Sequence, residues 1–169
     1  MNLAKAVATL LSVCVALAVV GCSKSNTPAA SFGLTGAGDG GPVTPGSERE
    51  FVTRVGDTIR FESDSSDLTQ HARATLVAQA QWLRQHPQHG IVIEGHADER
   101  GTREYNIALG ARRAETTRSF LAANGVNPQR MRTISYGKER PAAVCDNVSC
   151  WSQNRRTVTV LGGAATASY

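Results

Sequence analysis

Four cysteines in 169 residues are too few for a disulfide scaffold and too scattered for a zinc site of ordinary ligand spacing. Long apolar runs are equally scarce. A single one exceeds a dozen residues, which excludes a multi-span membrane protein. Neither sign of charge dominates: 18 Lys and Arg stand against 14 Asp and Glu, for a net charge of +4. That balance permits an acidic partner without implying nucleic acid, and no nucleic-acid partner is expected. Aromatic residues make up 5%, and no internal repeat is present. What is there, 41% hydrophobic and 19% charged residues, excludes a collagen-like or wholly disordered chain. The length suits one domain plus extensions.

The first extension reads as an address. Lys5 supplies a short positive region, and Ala6 to Val20 is an apolar stretch of 15 residues interrupted only by Thr9 and Ser12. It is shorter than the ~20 residues a spanning helix needs. It ends Val19-Val20-Gly21-Cys22. That ending resembles the bacterial lipobox, in which a small residue precedes a cysteine whose thiol is lipidated and becomes the mature N-terminus. Residues 1–21 are therefore expected to be a lipoprotein signal peptide and Cys22 the lipidation site. Several acyl chains, at ~0.8 kcal/mol per buried methylene, anchor where one does not. Ser23 in place of aspartate suggests sorting to the outer membrane. Ser23 to Ser47 holds six Gly, three Pro, four Ser and three Thr in 25 residues. Such a segment cannot bury enough apolar surface to offset its chain entropy. Residues 22–47 thus read as a lipidated cysteine and a flexible linker, spanning roughly 25–30 Å as a coil.

Residues 48–162 read as the folded domain, with 163–169 as a tail. Thr58 to Phe61 is a strand candidate. Ser65-Ser66-Asp67 offers helix N-cap chemistry, followed at helical spacing by Leu68, Ala72, Leu76, Ala80 and Leu83 up to Pro87. Ile91-Val92-Ile93 is apolar on both faces, which suits an inner strand. A second helix fits Thr102 to Ala123, with Tyr105, Ala108, Leu109, Phe120 and Leu121 as apolar positions and Asn124-Gly125 as its stop. Met131 to Tyr136 and Arg156 to Leu161 alternate as strands do. The order β-α-β-α-β-β implies an α/β (α+β) two-layer sandwich, helices packed on a mixed sheet.

One segment carries far more. "IVIEGHADERGTREYNIALGARRA", Ile91 to Ala114, resembles the signature of the OmpA-like peptidoglycan-binding domain family, and within it the peptidoglycan-associated lipoproteins (Pal) of the Tol-Pal system. "FESDSSDL" from Phe61, "SYGKERP" from Ser135 and "NRRTVTV" from Asn154 fit the same family. The resemblance covers residues 50–161, and the lipobox and linker match the layout of its lipoprotein branch. It implies an outer-membrane lipoprotein facing the periplasm. Such a protein grips peptidoglycan noncovalently through the meso-diaminopimelate of the stem peptide, and so serves envelope integrity and outer-membrane invagination at division. It also implies TolB as a partner, with other Tol proteins as further candidates. The alternative is a protein chiefly of the TolB-hub kind, with weak wall binding.

The residues suit that chemistry. Asp98 lies just past the strand from Ile91, where ligands of open α/β sheets bind. A carboxylate beside a guanidinium suits a zwitterion, Arg taking its carboxylate and Asp its ammonium. The resemblance puts the family pair on Asp98 and Arg113; spacing alone does not bring them together. By the same match Asp64 lines the pocket from the first strand–helix loop, Ala97 and Arg100 flank Asp98, Asn106 fixes the loop or touches the ligand, and Leu109 shares its helical face. One departure is Ser63, where the family commonly carries a second aromatic (Phe61-Glu62-Ser63-Asp64 here).

Other readings are weaker. His96-x-Asp98 lacks a second histidine at ligand spacing, so no metal or other cofactor is expected. No nucleophile motif or metal set points to an enzyme. Arg155-Arg156 reads as framework and Trp82 and Trp151 as core. Cys145 and Cys150, in an oxidising periplasm, are expected to form a disulfide.

Overall fold

The computed structural model describes residues 43–162. The expected signal peptide, Cys22, the linker up to residue 42 and the tail 163–169 lie outside the described residues. Chain ties begin ahead of Glu48. Gly46 donates its N–H to the Glu50 carboxylate at 2.8 Å, and its carbonyl lies 3.0 Å from Nε2 of His89.

Four strands form one sheet in the order β1-β4-β2-β3: β1 is Thr58–Arg60, β2 Gly90–His96, β3 Met131–Gly137 and β4 Arg156–Gly162. The β2–β3 pair is parallel; β1–β4 and β2–β4 are antiparallel, so the sheet is mixed as expected. β2 is an inner strand, which explains why Ile91 and Ile93 are buried within an unbroken apolar run. Two long helices, α2 (Gln70–Gln85) and α3 (Arg103–Ala123), pack against the strands and each other. The core between the layers gathers Ile59, Leu76, Leu83, Ile91, Ile93 and Leu121 among others. Helical segments absent from the sequence reading are α1 (Glu48–Glu50), the wider turn Phe51–Val55 that follows it, the tight turn Pro128–Arg130, and α4 (Val148–Asn154). Phe51 is fully buried and packs on Trp82, ring centroids 5.0 Å apart.

The start of α2 differs from expectation. Thr69, not Ser65-Ser66-Asp67, is its N-cap, its hydroxyl accepting from Ala72 N–H at 3.1 Å. The Ser65 hydroxyl instead accepts from Asp67 N–H, closing a turn, and the Ser65 carbonyl is held from across the fold by Arg113. Those bonds keep the segment out of the helix. The stop of α3 is as read: Gly125 sits at φ +89°, and Val126 N–H reaches back to the Leu121 carbonyl.

The inward face of α3 is unusually polar and small. Asn106, Gly110, Arg113 and Thr117 are buried beside Leu109, Ala114 and Leu121, while Ala108 and Tyr105 are exposed. Gly95 of β2 and Gly110 of α3 touch through their backbones. A Cβ on Gly95 would lie 1.9 Å from the Gly110 carbonyl oxygen. We therefore expect Gly95→Ala to lift the helix off the strand and destabilise the domain by about 1–3 kcal/mol or more, read as a lowered midpoint in thermal unfolding.

Trp82 is core, as expected, but Trp151 is not. It is partly exposed on α4, with its ring under the Arg100 guanidinium. The Cys145–Cys150 disulfide is present, Cα atoms 5.6 Å apart, and closes the turn that leads into α4.

Candidate functional site

The site forms where β2 ends. The parallel register with β3 shifts between Gly95 and His96, and Ala97 N–H is held by the Gly137 carbonyl at 2.8 Å. The chain then leaves the sheet as the loop 97–102 and enters α3 at Thr102, whose hydroxyl accepts from Tyr105 N–H. Asn106, buried one turn in, donates to the Arg100 carbonyl at 2.7 Å. Its role as loop fixer, one of two left open by the sequence, is thus visible. Lys138 braces the same loop from β3's end, with Nζ 3.1 and 2.7 Å from the carbonyls of Glu99 and Gly101.

Asp98 is 7% exposed and fully engaged. Its Oδ1 accepts from Arg100 N–H (3.2 Å) and Nε (3.1 Å), and its Oδ2 from Arg100 Nη2 (2.7 Å) and Arg155 Nη1 (3.3 Å). A carboxylate offers about four lone-pair positions, and all four are taken. Burial works to raise the Asp98 pKa, and the hydrogen bonds from Arg100 and Arg155 outweigh it, leaving the carboxyl below its usual range. Arg155, read as framework, therefore also orients the site. It donates in addition to the Phe61 carbonyl. Nothing in its sequence neighbourhood distinguishes it from Arg156, which binds the carbonyls of Asn154 and Arg140 instead.

The Asp98–Arg113 pair expected from the resemblance is rearranged in the structure. Arg113 is 0% exposed, and its guanidinium is spent on three backbone carbonyls: Ser65 (2.8 Å), His96 (2.9 Å) and Glu62 (3.1 Å). Desolvation lowers its pKa to about 10, so it stays protonated at neutral pH. It lies beneath the site and holds together the two loops that form its walls. The guanidinium that reaches the opening is that of Arg100, with its side chain 45% exposed.

A cleft of 260 Å³ brings together five of the expected residues, Asp64, Asp98, Arg100, Asn106 and Leu109, with Ser63, Gly101 and Tyr105. Asp64 has a left-handed backbone (φ 55°) and accepts a hydrogen bond from the Tyr105 hydroxyl. Ser63 answers the family departure. Its hydroxyl accepts from Arg100 Nη2 at 2.8 Å, a hydroxyl hydrogen bond in place of the family's aromatic. Ala97 is not in this cleft. It lines a second cavity of 310 Å³, with Glu99, Pro141 and the highly exposed Val144. The two cavities share the loop 97–101 as their divider.

His96 is 1% exposed, and neither ring nitrogen has a hydrogen-bond partner. Tyr136 lies against it, and the Glu94 carboxylate is 3.7 Å away, beyond bonding distance. Desolvation, then the positive charges of Arg156 and Arg140, lower its pKa from 6.5 to about 4. A base whose folded pKa is depressed binds its proton more readily when unfolded. Stability is then full above pH 6.5 and is lost as pH falls toward 4, by up to about 3 kcal/mol at ~1.4 kcal/mol per pH unit. We expect His96→Leu to flatten that part of a stability-against-pH curve measured by urea denaturation. Among the described residues, no cluster of three or more His, Cys, Asp or Glu could hold a metal ion.

Comparison with known proteins then places the chain. The OmpA family model matches residues 60–156. The peptidoglycan-associated lipoprotein of Rhizobium meliloti is 60% identical over 156 residues, covering 92% of this chain and 88% of that protein. That of Brucella melitensis is 62% identical over 151 residues, covering 88% of each. The chain belongs to the OmpA family, among the peptidoglycan-associated lipoproteins. A crystal structure of the family member from Burkholderia pseudomallei superposes with a TM-score of 0.63 at 40% identity, over 66% of this chain and 96% of that one. The α/β architecture read from the sequence is the family's.

Proposed function

We propose that this is a cell-envelope lipoprotein that binds peptidoglycan noncovalently and links wall to outer membrane, its domain facing the periplasm. The observation that carries the reading is the cleft past β2, in a member of this family, with carboxylates and a guanidinium at one opening. The ligand is the free end of meso-diaminopimelate, a carboxylate and an ammonium on one carbon. Its carboxylate meets Arg100. Its ammonium meets Asp64 at the rim and the field of Asp98 below. Asn106 and Leu109 shape the floor, Ala97 backs the loop, and Arg113 supports both walls from beneath. Membership of the Tol-Pal system, with its part in envelope integrity and outer-membrane invagination at division, belongs to the same reading. So does the lipid anchor at Cys22. The polar contacts within the cleft brace its own side chains and loop, and with relatives named as peptidoglycan-associated lipoproteins the reading is of a binding module and not an enzyme.

Calorimetric titration of the full chain in detergent with a stem peptide ending in meso-diaminopimelate, beside the same peptide carrying lysine, tests this. Lysine lacks the carboxylate, so the first peptide should bind and the second should bind far more weakly. Equal binding, or none, sinks the zwitterion site.

The neighbouring 310 Å³ cavity supports TolB as a second partner. A protein seated on exposed Val144, beside the buried Ala97, would press on the loop 97–101 that also walls the cleft. TolB and the diaminopimelate peptide should then weaken each other reciprocally in a competition titration; independent binding would rule out overlap.

A further inference from the structure

The cleft has a support outside the family motif. Arg100 is one of the most flexible side-chain types, and a guanidinium that must meet a ligand carboxylate gains affinity if it is already held in place. Three groups hold this one. Asp98 takes Nε and Nη2, Ser63 takes Nη2 as well, and the indole of Trp151 lies against the guanidinium at 4.4 Å from its carbon to the ring centroid. Asp98 and Ser63 fix the edge of the guanidinium, and Trp151 fixes its face. That leaves Nη1 as the nitrogen that neither Asp98 nor Ser63 engages. The indole is itself fixed. Its N–H donates a hydrogen bond to the Glu99 carboxylate, so one ring braces two successive residues of the loop.

Trp151 sits on α4, a helix of two turns that could not hold a ring in place by itself. The disulfide Cys145–Cys150 closes the turn ahead of it, with Asn147 inside the ring capping α4 through Ser149 N–H at 3.0 Å. Asn154 ties the other end, accepting from the N–H groups of Ala142 and Ala143 and donating to the Ala143 carbonyl. Immediately after it, Arg155 grips Asp98. The helix is stapled at both ends, and both its ring and the residue that follows it point at the same carboxylate–guanidinium pair.

We infer that Trp151 is a positioning residue for the carboxylate-reading guanidinium of Arg100, with the Cys145–Cys150 disulfide as its fixture. This rests on the wall-binding reading above and names what makes that site selective for a ligand bearing a carboxylate. A guanidinium on an aromatic face contributes about 0.5–2 kcal/mol, so losing the ring should weaken binding by roughly two- to thirtyfold. The loss should fall on the carboxylate-bearing ligand and narrow its advantage over the lysine peptide.

The test compares the full chain with Trp151→Ala, Trp151→Phe and Trp151→Leu, and with the wild type after reduction of the disulfide. Affinities for both peptides come from calorimetry. Exchange of the Arg100 Nε proton is followed by NMR without ligand. We expect Trp151→Phe, which keeps an aromatic face, to stay within about twofold of wild type, while Ala and Leu lose affinity together. Reduction should act in the same direction, and Arg100 Nε–H exchange should accelerate wherever affinity falls. Leucine that binds as well as phenylalanine would reduce Trp151 to packing and overturn the proposal. So would an unchanged Arg100 exchange rate in Trp151→Ala, whatever the ligands do. A wild type that binds neither peptide fails the wall reading instead, and the exchange rates then decide the positioning role alone.

Discussion

Arg113→Ala should cost the domain its fold before it costs the site its ligand. The substitution removes a wholly buried guanidinium and takes its donors from the carbonyls of Ser65, His96 and Glu62, of which Glu62 keeps the Ser65 N–H. The buried His96 carbonyl carries about 1–3 kcal/mol of desolvation, the part-buried carbonyls less, and the vacated volume adds a cavity term. A total of roughly 3–5 kcal/mol is a large share of the 5–15 kcal/mol that holds a domain together. Thermal unfolding should show a midpoint lowered by on the order of 15 °C. Arg113→Lys should rescue little, because one ammonium cannot span three carbonyls in a guanidinium's plane. A variant that melts like the wild type yet fails to bind the wall would return Arg113 to the cleft as a direct ligand.

Asp98→Ala should cost the site its ligand as well as stability, because the buried Arg155 guanidinium loses its carboxylate. Asp98 holds Arg100 by three hydrogen bonds and Arg155 by one, so its removal frees both guanidinia at once. Arg100, half-exposed, would keep only Ser63 and Trp151 as supports, and the cleft would lose its deeply set carboxylate while keeping this cation. Removing one partner of such a buried pair costs about 3–5 kcal/mol of stability, and a cleft without this carboxylate should show no measurable wall binding. Cosedimentation with purified cell-wall sacculi, beside a melting curve, separates the two effects. Retained sedimentation would sink Asp98 as the organiser of the site. The pH dependence has a definite sign. A carboxyl with a depressed folded pKa keeps its contribution above the unfolded value near 3.8 and loses it as pH falls through the lower folded one. The His96 effect sets in at higher pH, between 6.5 and about 4. Mild acid should therefore erode stability while those molecules still folded go on binding.

The strands and the two long helices were legible because their signals are local. Ile91 to Ile93 announces an inner strand, and Asn124-Gly125 announces a stop. The inward face of α3 was not legible from periodicity, because Asn106, Gly110, Arg113 and Thr117 are buried there and Ala108 and Tyr105 are not. A polar residue buried by a specific long-range bond leaves no hydrophobic trace. The same reason hid the roles of Arg155 and Trp151, whose partners lie 57 and 51 residues away along the chain. Motif resemblance brought Asp64, Asp98, Arg100, Asn106 and Leu109 to one place, and they line one cleft. It could not say that the guanidinium facing the opening is Arg100 and the buried one Arg113. That depends on which side chain finds carbonyls to satisfy it.

The strand directions carry a mechanical consequence. β1 and β2 both run antiparallel to β4, so they share one direction, and the described chain enters near their starting ends, where Gly46 meets His89 just before β2. The cleft lies past the far end of β2, about 20 Å away at the usual rise of a seven-residue strand. A pull between an anchor upstream of residue 43 and a ligand in the cleft would run along the strands. β4, hydrogen-bonded to both β1 and β2, would then be loaded in shear, its ladders resisting together instead of opening one bond at a time. A fold that holds two surfaces against tension benefits from that orientation, and pulling the domain by residue 43 and by the loop at Asp98 should need more force than pulling it across the sheet.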